Sequence, residues 1–171
     1  TRPESNLEMS RVTAGTFIAV DQQLRDFTSD IPILILDSLE ASLPASGSTT
    51  LVPMNVALLD VSRATGRASL DGGIADYVGR GGARDRGAST ANQAKPNMAF
   101  ETWGPEGTDL DDDFDVGLLG LAPESDWVLH APYSFDRALI RNQLAFELSN
   151  QMGMWAPHFR HVEVYFNGGR R

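Results

Sequence analysis

The sequence contains no cysteine, which rules out disulfides and thiolate metal sites but leaves the redox compartment open. It contains one lysine, Lys95, among fourteen basic residues, so chemistry that needs an ammonium group has a single candidate. No apolar run reaches the roughly 18 residues that a membrane-spanning helix needs. The opening Thr1-Arg-Pro-Glu has no signal-peptide pattern, so any export signal is expected upstream or already removed. There is no Gly-Lys-Ser/Thr phosphate loop, no His-Glu-x-x-His zinc helix and no Gly-x-Ser-x-Gly nucleophile elbow. P-loop nucleotide hydrolysis, zinc proteolysis and serine hydrolysis are thus left without a motif. Internal repeats and coiled-coil heptads are also missing. Positive charge is scarce: 23 acidic residues give a net charge of -9. Nucleic acid is excluded as a partner, because phosphate backbones need a concentrated basic face.

What is present is ordinary for a folded chain. With 171 residues, 42% hydrophobic and 22% charged, the length and composition fit one domain with a sizeable core. Residues 1–28 show little periodicity and read as an irregular lead-in, with the domain proper over 29–171. Ile31-Pro-Ile-Leu-Ile-Leu36 is a continuous apolar run of strand length, and Pro32 marks its start or an edge position. A longer strand is expected within residues 50–61, beginning after Pro53. Ala64-Thr-Gly-Arg67 is turn chemistry that predicts a hairpin into 68–70. Further strands are expected over 74–80, 97–103 and 161–168, with 79–87 as a glycine-rich connection. A helix is expected from about Asp136 to Met152, where Ile140, Leu144, Leu148 and Met152 recur every fourth residue. That stripe predicts burial against the sheet, with Arg137, Gln143 and Asn150 exposed. Asp136 or Ser134 can cap the start of this helix, and Gly153 suits its left-handed C′ position.

Each candidate for chemistry has a plain alternative. Tyr77-Val-Gly-Arg-Gly-Gly-Ala-Arg-Asp-Arg-Gly-Ala-Ser-Thr90 combines glycines, which admit a phosphate, with Arg80, Arg84 and Arg86, which neutralise one. The alternative is a turn with solvated arginines. Asp109, Asp111, Asp113 and Asp115 alternate as in a calcium loop, but Phe114 and Gly120 occupy positions that an EF-hand gives to glycine and glutamate. This leaves either a weak, solvent-facing calcium site or a charged surface loop. His130, His158 and His161 lack the companion ligands that zinc requires. Trp127 is expected to anchor a turn, with Asp126 capping the segment after it. Arg141 and Asn142 are expected to reach backbone carbonyls or an anion and to hold the domain together.

Three segments together resemble the CotH-type domain, a spore-coat family of atypical secreted protein kinases. They are the turn Gly120-Leu-Ala-Pro-Glu-Ser-Asp-Trp-Val-Leu129, the stretch from Tyr133 through Asp136, Arg141-Asn142 and Leu144-Ala-Phe-Glu-Leu148 to Met152-Gly153, and Ala156-Pro157 leading into Asn167-Gly168. Asp30-Ile-Pro-Ile-Leu-Ile-Leu-Asp37 and Arg86-Gly-Ala-Ser-Thr90 followed by Lys95 extend the likeness. Pro96 and Met98 depart from it, standing where the family has lysine and tyrosine. The resemblance implies an α+β fold, a mixed or antiparallel sheet with one long packed helix, forming part of an atypical kinase-like domain. It implies ATP with magnesium or manganese as cofactors and a protein serine as acceptor. It places Arg86, Ser89 and Lys95 at the nucleotide, with Glu147 as the helix partner of the lysine. The family's catalytic base and metal carboxylates are expected downstream of Arg171, so no catalytic or metal residue is assigned here and this chain alone is expected to be inactive. The terminal strand is expected to pair its open edge with that C-terminal half or with a neighbouring chain. A secreted or cell-surface location follows from the family. The competing expectation is an extracellular structural or assembly module that uses the fold without catalysis.

Overall fold

The computed structural model describes residues 18, 20, 22–44, 47–88, 90, 93–104, 113–132 and 136–170. The end of the lead-in holds one helical turn, α1 (Gln22–Arg25), and a two-residue strand, β1 (Thr28–Ser29). Leu24 is fully buried and the Phe27 ring lies 5.5 Å from that of Tyr165, so this stretch adds apolar cover to the core. β2 (Ile33–Asp37) starts directly after Pro32, and all five of its residues are buried. β3 (Val52–Asp60) starts before Pro53 rather than after it. The β2–β3 ladder ends at Asp37↔Asn55, so the N–H that Pro53 lacks falls beyond the reach of β2. The predicted turn forms, with Ser62 N–H donating to Arg67 O at 3.0 Å and Gly66 N–H to Ser62 O at 2.8 Å. The strand after it, β4 (Ala68–Ser69), pairs with β1.

β5 (Ile74–Arg86) departs most from the sequence reading, because the expected glycine-rich connection is itself strand. The glycines are there for space. A Cβ at Gly82 would overlap the Trp103 ring, one at Gly81 the Glu101 carbonyl oxygen, and one at Gly79 the Tyr77 hydroxyl. Glycine inside a strand marks such close approach. β6 (Asn97–Trp103) lies where the alternation predicts it. Asp126 and Trp127 belong to a strand, β7 (Asp126–Leu129), and not to a turn anchor and cap. They alternate faces there: Trp127 packs on the core while Asp126 is exposed. The chain then forms α2 (Arg141–Gln151), β8 (Glu163–Phe166) and β9 (Gly169–Arg170).

The seven-stranded sheet runs β7-β6-β5-β3-β2-β8-β9. Every pairing in it is antiparallel except β2 with β8, so the fold is α+β with a mixed sheet. Its two faces carry separate clusters. Leu34, Leu36, Met54, Val56, Leu58, Met98 and Phe100 fill one, and Ile33, Ile35, Leu59 and Tyr165 the other. β8 serves both, with Tyr165 in the second cluster and Val164 and Phe166 packed on the first. Its outer edge is covered in part. Asn167 and Gly168, at φ of 46° and 76°, form a two-residue turn of the kind Asn-Gly favours, and β9 folds back with Phe166↔Gly169 and Tyr165↔Arg170. At Tyr165 and Phe166 the chain thus pairs that edge itself, while Glu163 and Val164 lie beyond the reach of β9.

α2 corrects a second expectation. It starts at Arg141, later than predicted, with Ile140 and not Asp136 at the N-cap; Asp136 lies ahead of the helix and accepts the Arg141 N–H at 2.8 Å. At its end, Met154 N–H reaches Ser149 O and Gly153 N–H reaches Asn150 O, both at 3.0 Å, with Gly153 at φ 79°. This is a Schellman cap on the predicted glycine. The apolar stripe, however, faces out: Ile140, Leu144, Leu148 and Met152 are all exposed and no residue of α2 is buried. The helix turns its other side to the segment that follows it. Gln143 Oε1 lies 2.6 Å from His161 Nε2, Asn150 Oδ1 accepts the Ala156 N–H at 2.9 Å, and Phe146 meets Phe159 edge-on at 6.1 Å. Gln143, Phe146 and Asn150 share one helical face, and these local partners, not the sheet, orient α2.

Leu36→Ala is expected to cost about 2–5 kcal/mol in denaturant unfolding, as for a well-packed core leucine. Leu144→Ala is expected to cost less than about 1 kcal/mol, as for a surface site. The reverse ranking would place α2 in the core.

Candidate functional site

The β5–β6 hairpin gathers the predicted anion-contacting residues. Arg86↔Asn97 is the last pair of its ladder, so residues 87–96 form the connection, with Gly87 at φ 116° opening it. Arg86 is exposed at the end of β5, and Lys95 is exposed in a bend two residues before β6 rather than on the strand. Ser89 lies outside the described residues. Asn97, which the sequence reading did not single out, ties this connection down. Its Nδ2 donates to Thr90 Oγ1 at 3.2 Å, and its Oδ1 accepts the Ala131 N–H at 2.7 Å, just beyond β7. Next along, the Asn142 amide meets His130 Nε2 at 3.2 Å in the first turn of α2. One end of the sheet thus joins the hairpin connection, the exit of β7 and the start of α2. No sequence signal marked Asn97, because its role depends on where β7 exits.

Glu147 is not brought to Lys95. It is exposed, accepts a 2.8 Å hydrogen bond from Gln151 Nε2 one turn on, and no ion pair joins it to the lysine among the described residues. The rotation of α2 toward Phe159 and His161 is the physical reason. Arg141 turns back to Asp136, 3.8 Å from Nε to Oδ1, so it and Asn142 hold local structure. His130 and His161 use ring nitrogens on amides. Among the described residues no three His, Asp or Glu side chains form a metal-holding group. Asp109, Asp111 and the calcium reading that depends on them lie outside those residues.

A carboxylate cluster sits on the β6–β7 edge of the sheet. Glu101 pairs across strands with Asp126, and Asp113 bridges to Trp103. Burial pushes the Glu101 carboxyl above its usual range. The Trp103 Nε1–H, donated to Glu101 Oε2 at 3.3 Å, opposes this, and the Asp126 and Asp113 charges add to it.

A family model described as CotH kinase protein matches residues 83–171. The chain belongs to the CotH family. No curated protein matches it, and no solved structure does. The CotH match begins at Ala83, near the end of β5, and takes in the hairpin connection, β6, β7, α2 and β8. β2 and β3, and with them the Asp30–Asp37 likeness, lie ahead of the matched segment. The CotH-like positions Arg86, Ser89, Lys95 and Glu147 all fall inside it. As donors, Arg86 and Lys95 fit nucleotide phosphates, whereas the described carboxylates do not fit the accompanying metal.

Because its folded-state pKa is raised, protonated Glu101 contributes stability that is full below the unfolded value of about 4.3 and is lost as pH rises through the higher folded value. Glu101→Gln should therefore gain on the wild type between pH 4 and pH 7 in denaturant unfolding. A stability of the variant relative to the wild type that falls from pH 4 to pH 7 would contradict the assignment.

Proposed function

We propose that this chain is the nucleotide-contacting, N-terminal part of a CotH-like secreted protein kinase whose intact domain phosphorylates protein serine. The observation that carries the reading is the turn end of the β5–β6 hairpin, inside the family-matched segment, where Arg86 ends β5 and the connection's sequence carries Ser89 and the only lysine. Bound ATP would supply the γ-phosphoryl group. Lys95 and Arg86 would neutralise phosphate oxygens, and Asn97 would hold the connection in place while they do so. Glu147 meets Lys95 in this reading only after nucleotide binds, since pairing of a strand lysine with a helix glutamate accompanies the active kinase state. Phosphoryl transfer depends on positioning and charge stabilisation. The base and the carboxylates for magnesium or manganese are assigned to protein outside these residues, and the chain alone is inactive. The family also supports a secreted or cell-surface location. No helix among the described residues is long and apolar enough to cross a membrane.

A second reading, an extracellular assembly module without catalysis, is favoured by one observation: the outward apolar stripe of α2. Titration calorimetry with MgATP separates the two. The nucleotide reading expects binding that Lys95→Ala weakens about tenfold, the loss of one charged hydrogen bond. It also expects no transfer above background to a serine-rich acceptor from labelled ATP with magnesium or manganese. Equal affinity of the wild type and Lys95→Ala would contradict the site, and robust transfer by the isolated chain would contradict the assignment of catalysis elsewhere.

A further inference from the structure

The sheet register sorts the arginines of β5. Ala83, Met98 and Phe100 belong to the first core cluster, so strand alternation turns Arg80, Gly82, Arg84 and Arg86 to the opposite face. Asp85, the one acid among residues 80–95, lies on the core side, across from Met98. On the arginine face, Arg84 stands opposite Ala99 and Arg86 opposite Asn97. β3 pairs with β5 no further than Ala83, and β7 with β6 no further than Met98. The Arg86–Asn97 row thus stands clear of both neighbouring strands, and Lys95 comes two residues ahead of Asn97. Arg84 is half-buried, and Arg86 and Lys95 are exposed. Among the described residues, the side chains of these three make no hydrogen bond or ion pair. Arg80 is set apart, because the Gly82 row between it and Arg84 carries Glu101 and Asp126.

We propose that Arg84 joins Arg86 and Lys95 as a phosphate contact, and that the hairpin end of this chain recognises a linear phosphate chain and not a nucleobase. The proposal rests on the same site as the nucleotide reading and adds the chemical class that the site selects. Three unpaired cations gathered in a chain of net charge -9 repel one another until an anion lies between them. Alternate residues of a strand stand about 6.7 Å apart on one face. One polyphosphate can therefore meet both guanidinia, each through its planar fork of donors. Among the described residues, nothing at this end suits a base. A pocket for one has apolar or aromatic walls, whereas the residues beside Arg84 and Arg86 are Ala99 and Asn97. Trp103, the aromatic side chain on this face of β6, is 3% exposed and packs over Gly82. The cavity of about 80 Å³ at the Arg80 row, lined in part by Asp37 and Asn55, is well below the roughly 300 Å³ at which ligand pockets begin.

The test is titration calorimetry on the full chain with magnesium present, using MgATP, MgGTP, tripolyphosphate and adenosine as probes. The expected result is that the three phosphate probes bind within about threefold of one another and adenosine does not bind. Arg84→Ala should weaken all three at least about tenfold, the loss of one charge-assisted hydrogen bond, at unchanged circular dichroism. Arg63→Ala removes the same charge from an exposed position in the turn between β3 and β4 and should leave binding unchanged. If Arg84→Ala does not fold, Arg84→Gln is read in its place, and the comparison of probes on the wild type stands in either case. Tripolyphosphate that binds where MgATP does not keeps this proposal and contradicts the nucleotide reading. MgATP that binds at least about tenfold tighter than MgGTP or tripolyphosphate, or that binds Arg84→Ala as it binds the wild type, overturns the proposal and leaves that reading standing. Binding of adenosine does the same. No binding of any phosphate probe overturns both.

Discussion

The parallel pairing of β2 with β8 is the constraint on which the rest of the structure depends. It is the only parallel ladder among the described residues, and it carries the chain from one edge of the sheet, at β7, across to the opposite end beside β2. β2 can hold that place because its residues are apolar on both sides, Leu34 and Leu36 facing one cluster and Ile33 and Ile35 the other. A strand buried on both faces must be flanked on both edges, since unpaired backbone groups in an apolar interior are costly. β3 and β8 supply those edges. Asn167 completes the join: its N–H donates to Leu36 O at 3.0 Å and its Oδ1 accepts the Ser38 N–H at 2.8 Å.

From that strand pair the rest follows in two directions. Toward β5 and β6, Gly79, Gly81 and Gly82 let aromatic rings and neighbouring backbone close in, and the connection that carries Lys95 follows Arg86 at the end of β5. Toward β8, the chain must cross from β7, and α2 lies on that crossing. Its placement is local, through His130, Phe159 and His161. Among the described residues, the hairpin connection and the start of α2 meet only through the exit of β7, where Ala131 N–H reaches Asn97 and His130 reaches Asn142.

Much of this was legible in the sequence where one local rule acted alone. Continuous apolarity gave β2, alternation gave β6, and Gly153 marked the helix end. The sequence misled where a local pattern had two physical causes. Glycines between arginines suit a phosphate loop, but they suit equally a strand crossed by Trp103 and Tyr77, and only the neighbours decide. A leucine every fourth residue predicts a buried helix face, but it does not say whether this chain buries it. Likewise Asn167-Gly168 reads as the tail of a strand until β9 is seen to fold back from it. The hairpin site was legible as residue types and as family likeness. Its anchoring through Asn97 was not, because that depends on where β7 exits.

The central claim is that the two-faced sheet around β2 stands without α2. Native-state hydrogen exchange tests it most directly, under conditions where the chain is monomeric. The account predicts that amides of β2, β3 and β8 exchange only through global unfolding, the slowest class. It predicts that α2 amides exchange through local opening at clearly lower free energy. Equal protection of α2 and β2 in the monomer would contradict it.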